Sequence, residues 1–193
     1  FNNNYKITPQ VFDIWMRLLK KVKNSVLWIL TEDVNISKNL KKEASLRGVD
    51  FNRIVFAKKI KMNEHLARQK VADLFIDTFP YTGHTTASDA LWVGLPVLTR
   101  IGKSFASRVS ASLLNAIDLP ELVTSSEKEY EDLAIELATN SEKLKEIKNK
   151  LKNNRNTKPL FNTQIFTRNI EKAYSIMYER YLKNLPLDNI EIN

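Results

Sequence analysis

Residues 71–99 read VADLFIDTFPYTGHTTASDALWVGLPVLT. An apolar run from Val71 to Asp77 gives way to a turn-rich stretch. A helical segment from Thr85 to Val93 follows, stopped by Gly94, and Pro96 to Thr99 form a second apolar run. Strand, helix and strand at this spacing make a crossover that returns the chain to the same edge, the connection that parallel neighbours need. The pattern extends toward the N-terminus. Thr8 and Pro9 are a capping residue and a first-turn proline, with Val11, Trp15, Leu18 and Val22 at helical spacing behind them. Ser25 to Leu30 and Ile54 to Ala57 read as buried strands. Between them Ile36, Leu40 and Ala44 share a helical face, and Gly48 stands where a left-handed cap is wanted. Asn63 to Lys70 reads as a short helix. Ser107 to Ala116 reads as another, with Val109, Leu113 and Ala116 inward.

After Leu122 the strand signal stops. Three helices are expected, Glu127 to Thr139, Ser141 to Asn153 and Thr163 to Leu182, the last with Phe166, Ile170, Ala173, Met177 and Tyr181 along one stripe. The fold class is therefore α/β: a Rossmann-like parallel sheet with helices on both faces, followed by C-terminal helices. Residues 1–184 are expected to form one lobe and 185–193 a frayed tail.

Composition narrows the class further. The chain has 193 residues, 30 Lys and Arg against 22 Asp and Glu, 43% hydrophobic residues and no cysteine. That length buries roughly 70% of the unfolded surface, enough for one core. Without cysteine there is no disulfide framework, thiolate metal site or cysteine nucleophile, which suits a reducing compartment, and a cytoplasmic protein is expected. No apolar run approaches the ~18 residues of a membrane span. The first residue is not Met, so the chain reads as part of something longer, with its first residues as the stump of a strand.

In an open parallel sheet, ligands collect beyond the carboxyl ends of the strands. The stretch after Asp77 delivers Gly83, His84, Thr85 and Thr86 to the first turn of a helix, whose free N–H groups and dipole suit a diphosphate. The same residues also suit an ordinary N-cap beside a tight turn. His65 and Arg68, three apart, could present an imidazole for stacking and a guanidinium for a base carbonyl, or simply a polar helix face. Asp89, one turn into the later helix, is placed for ribose hydroxyls or for solvation. Two separated histidines offer no recognised metal spacing. Most of the net charge of +8 (30 − 22) gathers in Lys145, Lys148, Lys150, Lys152, Arg155 and Lys158. Lacking interleaved aromatics, this stretch reads as a solvated face rather than a nucleic-acid footprint.

Taken together, FNNNYKITPQVFDIWMRLLKKVKNSVLWIL, NRIVF, NEHLARQKVADLFIDT, GHTTASDALWVGLPVLT, SRVSASLL, EYEDLAIEL and PLFNT resemble the C-terminal catalytic lobe of the O-GlcNAc transferase family, from Phe1 to about Tyr181 and with bacterial members in particular. The resemblance implies one donor-binding lobe of an inverting GT-B glycosyltransferase that moves a sugar, expected to be GlcNAc, from a UDP-sugar to protein Ser or Thr. Lys6 then matches the catalytic lysine on the diphosphate. His84 lies near the donor sugar, Thr85 and Thr86 at the diphosphate, Asp89 on the ribose, His65 on the uracil, Arg68 near the base and Ile60 at its edge. Asn3 and Met62 stand where animal enzymes carry glutamine and lysine at the same donor. A guanine-nucleotide O-fucosyltransferase and a degenerate, non-catalytic binding module are the alternatives, with His84 and Arg68 favouring UDP. No metal or cofactor is implied. The acceptor protein would be held by an N-terminal lobe and by upstream tetratricopeptide repeats, and the lobe alone would be inactive.

Overall fold

A computed structural model describes residues 1–192. A short 3-10 turn, Asn4–Lys6, leads into α1 (Pro9–Lys21), where the Thr8 hydroxyl caps the Val11 N–H at 3.2 Å. Then come β1 (Leu27–Leu30), α2 (Val34–Leu46), β2 (Ile54–Ala57), α3 (Met62–Gln69), β3 (Phe75–Ile76), α4 (Thr85–Val93), β4 (Val97–Arg100) and α5 (Val109–Ala116). A two-residue strand β5 (Val123–Thr124) precedes α6 (Glu127–Thr139), α7 (Ser141–Thr157) and α8 (Thr163–Leu182).

All strand pairs are parallel, in two ladders: β1 with β2, and β3–β4–β5 in that order. Leu27 pairs with Ile54 and Phe75 with Val97. One core cluster joins α1, β1, β2 and the first half of α6; a second joins β3, β4, α4, α5, the end of α6 and α7. Arg53 ties the first together. Its guanidinium donates to the carbonyls of Leu19, Val22 and Ser25, meeting acceptors that the end of α1 leaves open. Gly48 and Gly94 end α2 and α4 with φ of +69° and +89°, a backbone that costs glycine nothing.

Four expectations are corrected. The β3 ladder covers only Phe75 and Ile76, because the end of α3 turns through Lys70 to Ala72 and leaves Val71 exposed. A strand, β5, follows Leu122, beyond the point where the strand signal in the sequence stops; two residues are too few to show a period. In α5 the buried residues are Ser110, Ala111 and Leu114, so the inward face is rotated from Val109, Leu113 and Ala116. The stripe on α8 is only partly covered: Phe166, Met177 and Tyr181 are exposed, Ile170 and Ala173 are half-buried, and no described residue of α8 is fully buried. The segment after Leu182 forms no regular element through Ile192. Arg180 donates to the Pro186 carbonyl, and Asn193 of the expected tail lies outside the described residues.

The basic face of α7 is largely committed within the molecule. Lys148 pairs with Asp73, Lys150 with Glu121, Lys158 with Asp118, and Arg155 donates to the Trp92 carbonyl.

Candidate functional site

Asp77, directly after β3, is fully buried, and its carboxylate organises the loop that follows. Oδ1 accepts from the Thr78 N–H at 2.8 Å, the Gly83 N–H at 2.7 Å and the Asn2 amide at 2.8 Å, while Oδ2 accepts from the Thr99 hydroxyl at 2.8 Å. Burial pushes this carboxyl up, and the donors oppose that shift. On the far side, the Tyr130 hydroxyl of α6 donates to the Asp77 carbonyl at 2.8 Å. Sequence reading passed over Asp77 as the end of a strand. The available signal was an acid closing an apolar run at the ligand end of a sheet.

Asn2 extends the network. Its amide also donates to the Thr78 hydroxyl at 2.8 Å, and its carbonyl oxygen accepts from the Thr86 hydroxyl. Four residues on, Lys6 is buried, its Nζ donating to the Thr82 carbonyl at 2.8 Å and lying 4.0 Å from the centre of the Tyr81 ring. Burial lowers the Lys6 ammonium and the nearby Asp77 charge raises it. The N-terminal turn and the β3–α4 loop, more than seventy residues apart in sequence, are thus brought together.

At α4, His84 is the capping position and no side chain caps the first turn, so the helix N-terminus is available to an anion. The His84 ring stacks on Tyr81 with centroids 5.1 Å apart, and its Nε2 lies 3.5 Å from the Ala106 carbonyl. Thr82 donates through its hydroxyl to the same carbonyl at 2.8 Å, and the Ser110 hydroxyl donates to the Gly83 carbonyl at 2.7 Å, so α5 and the turn before it brace the loop. Thr85 is exposed. Two sequence readings change here. The Gly83 N–H points inward to Asp77, and a Cβ there would be tight, 3.1 Å from Ala87 Cβ and from Thr86 Oγ1 and 3.2 Å from Asp77 Oδ1, so its neighbours would have to give by a few tenths of an ångström. The Thr86 hydroxyl hydrogen is committed to Asn2, leaving its oxygen as an acceptor.

On the same carboxyl edge, after β2, Arg68 donates to the Lys58 carbonyl at 2.6 Å and approaches His65 Nδ1 at 2.6 Å. A guanidinium has only donors, so Nδ1 accepts and the imidazole hydrogen sits on Nε2. Burial and the Arg68 charge push His65 below the ordinary imidazole value, keeping it neutral. Asp89 is half-buried, raised by burial and lowered by His65, which places α3 and α4 side by side at this edge. Ile60 and Met62 are exposed, and so is Asn3, whose amide reaches only the Tyr5 hydroxyl at 3.4 Å. Among the described residues no cluster of three or more His, Asp or Glu offers a metal site.

The solved structure of a mutant of Thermobaculum terrenum O-GlcNAc transferase is similar over 92% of this chain and 35% of that one, with a TM-score of 0.88 and 31% identity. The class is therefore a Rossmann-like lobe of a GT-B glycosyltransferase. The chain belongs to glycosyl transferase family 41, whose model matches residues 1–170. A UDP-N-acetylglucosamine–peptide N-acetylglucosaminyltransferase of Caenorhabditis elegans is 36% identical over the whole chain, and a probable one of Arabidopsis thaliana, SEC, is 36% identical over 92% of it. The chain spans 17% and 18% of those two proteins.

Proposed function

We propose that this chain is the donor lobe of an inverting enzyme that transfers GlcNAc from UDP-GlcNAc to Ser or Thr hydroxyls of proteins. The observation that carries the reading is the seating of Lys6 on the Thr82 carbonyl, beside the uncapped start of α4. Displacement at the anomeric carbon breaks its bond to the diphosphate oxygen, and negative charge grows on the departing UDP. A fixed ammonium and a helix N-terminus oppose that charge most strongly when it is fully developed, which lowers the barrier. Thr85 and Thr86 supply first-turn groups to the same diphosphate, and His84 borders the sugar. His65, Arg68, Ile60 and Asp89 form the nucleoside end, with Asn3 and Met62 at its rim. The acceptor hydroxyl and its proton are handled by the remainder of the protein.

With Lys6 and α4 carrying the charge, the complete protein keeps its turnover after chelation of divalent metal. Lys6→Ala in the complete protein should lower kcat about 100- to 1000-fold, the cost of one donor to a developing anion, with the melting temperature little changed. Full turnover in that variant refutes the assignment. Calorimetric titration with UDP, against GDP as control, tests the nucleotide: tighter GDP binding would favour the fucosyltransferase reading.

A further inference from the structure

A lysine ammonium has hydrogens to place and a charge to keep. Lys6 donates one hydrogen to the Thr82 carbonyl at 2.8 Å, and its other near neighbour is a ring rather than an anion: Nζ lies 4.0 Å from the centre of Tyr81. Among the described residues no carboxylate hydrogen-bonds to Lys6, and Asp77 acts on it only through its field. The difference decides what the charge can do. A carboxylate in contact would hold the ammonium and cancel its charge, whereas a carbonyl and the negative face of a ring hold it and leave the whole positive charge for an anion. Burial lowers the ammonium, and the ring face opposes that by favouring the charged form.

The ring is itself fixed in place. The Thr78 hydroxyl donates to the Tyr81 carbonyl at 2.8 Å, and the next residue, Thr82, donates to the Ala106 carbonyl from its N–H at 3.0 Å and its hydroxyl at 2.8 Å. Tyr5 meets the ring edge-on with centroids 6.5 Å apart, and His84 stacks on it at 5.1 Å. The adjacent residues Tyr5 and Lys6 thus both reach Tyr81 from the N-terminal turn. Tyr81 is 40% exposed and belongs to neither core cluster, so its contacts serve this corner of the molecule rather than the packing of the lobe.

We propose that Tyr81 is a positioning residue for the transfer: its ring fixes the Lys6 ammonium by a cation–π contact and so sets where positive charge meets the departing diphosphate. This rests on the donor reading of Lys6 given above. Tyr81 acts through Lys6 and touches no reacting atom. Without the ring, the flexible four-carbon stem of the lysine is held at one point only, and a misplacement of about 1 Å at a reacting centre can cost ~100-fold in rate.

The test is UDP release from UDP-GlcNAc by the complete protein, with water or a Ser/Thr peptide as acceptor. Tyr81→Leu should lower kcat about 5- to 30-fold with the melting temperature little changed, and Tyr81→Phe, which keeps the ring, should stay within about twofold of the parent. Phenylalanines with progressively more ring fluorines at position 81 keep the shape while draining the negative face, so kcat should fall along the series. A purely structural ring would not follow it. In Lys6→Ala/Tyr81→Leu the turnover should equal that of Lys6→Ala alone, because the ring has nothing left to hold. The proposal is overturned by full turnover in Tyr81→Leu, by equal losses in Tyr81→Phe and Tyr81→Leu, by fluorinated rings as active as phenylalanine, or by losses that multiply in the double variant. Full turnover in Lys6→Ala sinks the donor reading itself, whereas a crippled Lys6→Ala beside an unimpaired Tyr81→Leu sinks this inference alone.

Discussion

Residues 77–86, after β3, hold their polar groups in a closed network, whereas residues 58–64, after β2, are all exposed and hold almost none. The first loop is braced by Asp77, Asn2, Ser110 and the 105–107 turn; the second has the Lys59 N–H on Glu32 and the Lys58 carbonyl on Arg68. Both lie on the same carboxyl edge. The contrast means that the β3–α4 loop is set by its own hydrogen bonds, at the expense of burying a carboxylate, while the β2–α3 loop is not; on the proposed donor reading the first is the diphosphate end and the second the nucleoside end. Damage to the first loop should therefore reach the fold, and damage to the second should reach binding alone.

The largest effect should come from Asp77→Ala. It strands four buried donors at about 1–3 kcal/mol each, comparable to a whole domain's stability of about 5–15 kcal/mol. Thermal unfolding of the complete protein should show the lobe melting more than about 10 °C lower or failing to fold; a normal melting curve would break the comparison. Thr86→Val keeps the shape and removes one hydrogen bond, costing about 1 kcal/mol. Here the donor KM should rise a few-fold with kcat nearly constant, because the loop loosens while Lys6 stays.

Just beyond the open loop, on the half-buried face of α3, the sharpest probe is pH and its readout is stability. His65 has a folded-state value below the ordinary ~6.5, so the unfolded chain binds its proton first as pH falls. Its contribution is full above the unfolded value and is lost as pH drops from there toward the lowered folded value. Stability measured by denaturant should thus decline below about pH 6.5, and His65→Gln should flatten that slope. The smallest effect is expected from Met62→Lys, which adds a cation to an exposed rim. UDP affinity should rise at most a few-fold, melting should stay unchanged, and added salt should erase the gain. A large change in melting would show that the β2–α3 loop is as structural as its neighbour.

The β3–α4 crossover, the glycine caps of α2 and α4 and the two histidine-bearing edges were legible because each is a local rule: period, cap residue, position after a strand. Asp77 was not, since its meaning comes from Asn2, seventy-five residues earlier, and from Thr99, twenty-two later. Gly83 was legible only as a turn glycine; its close approach to Ala87, Thr86 and Asp77 comes from tertiary packing. The α8 stripe shows the converse. Periodicity identifies a face that can be buried, and only packing supplies something to bury it against.

The sequence by itself determined the parallel α/β order, the place of each helix and the family blocks, because hydrophobic period and capping act within a few residues along the chain. Only the tertiary structure decided that Lys6 sits on the Thr82 carbonyl and that the buried Asp77 carboxylate holds the β3–α4 loop. Those facts depend on hydrogen bonds and packing between segments distant in sequence, whose partners no local pattern names.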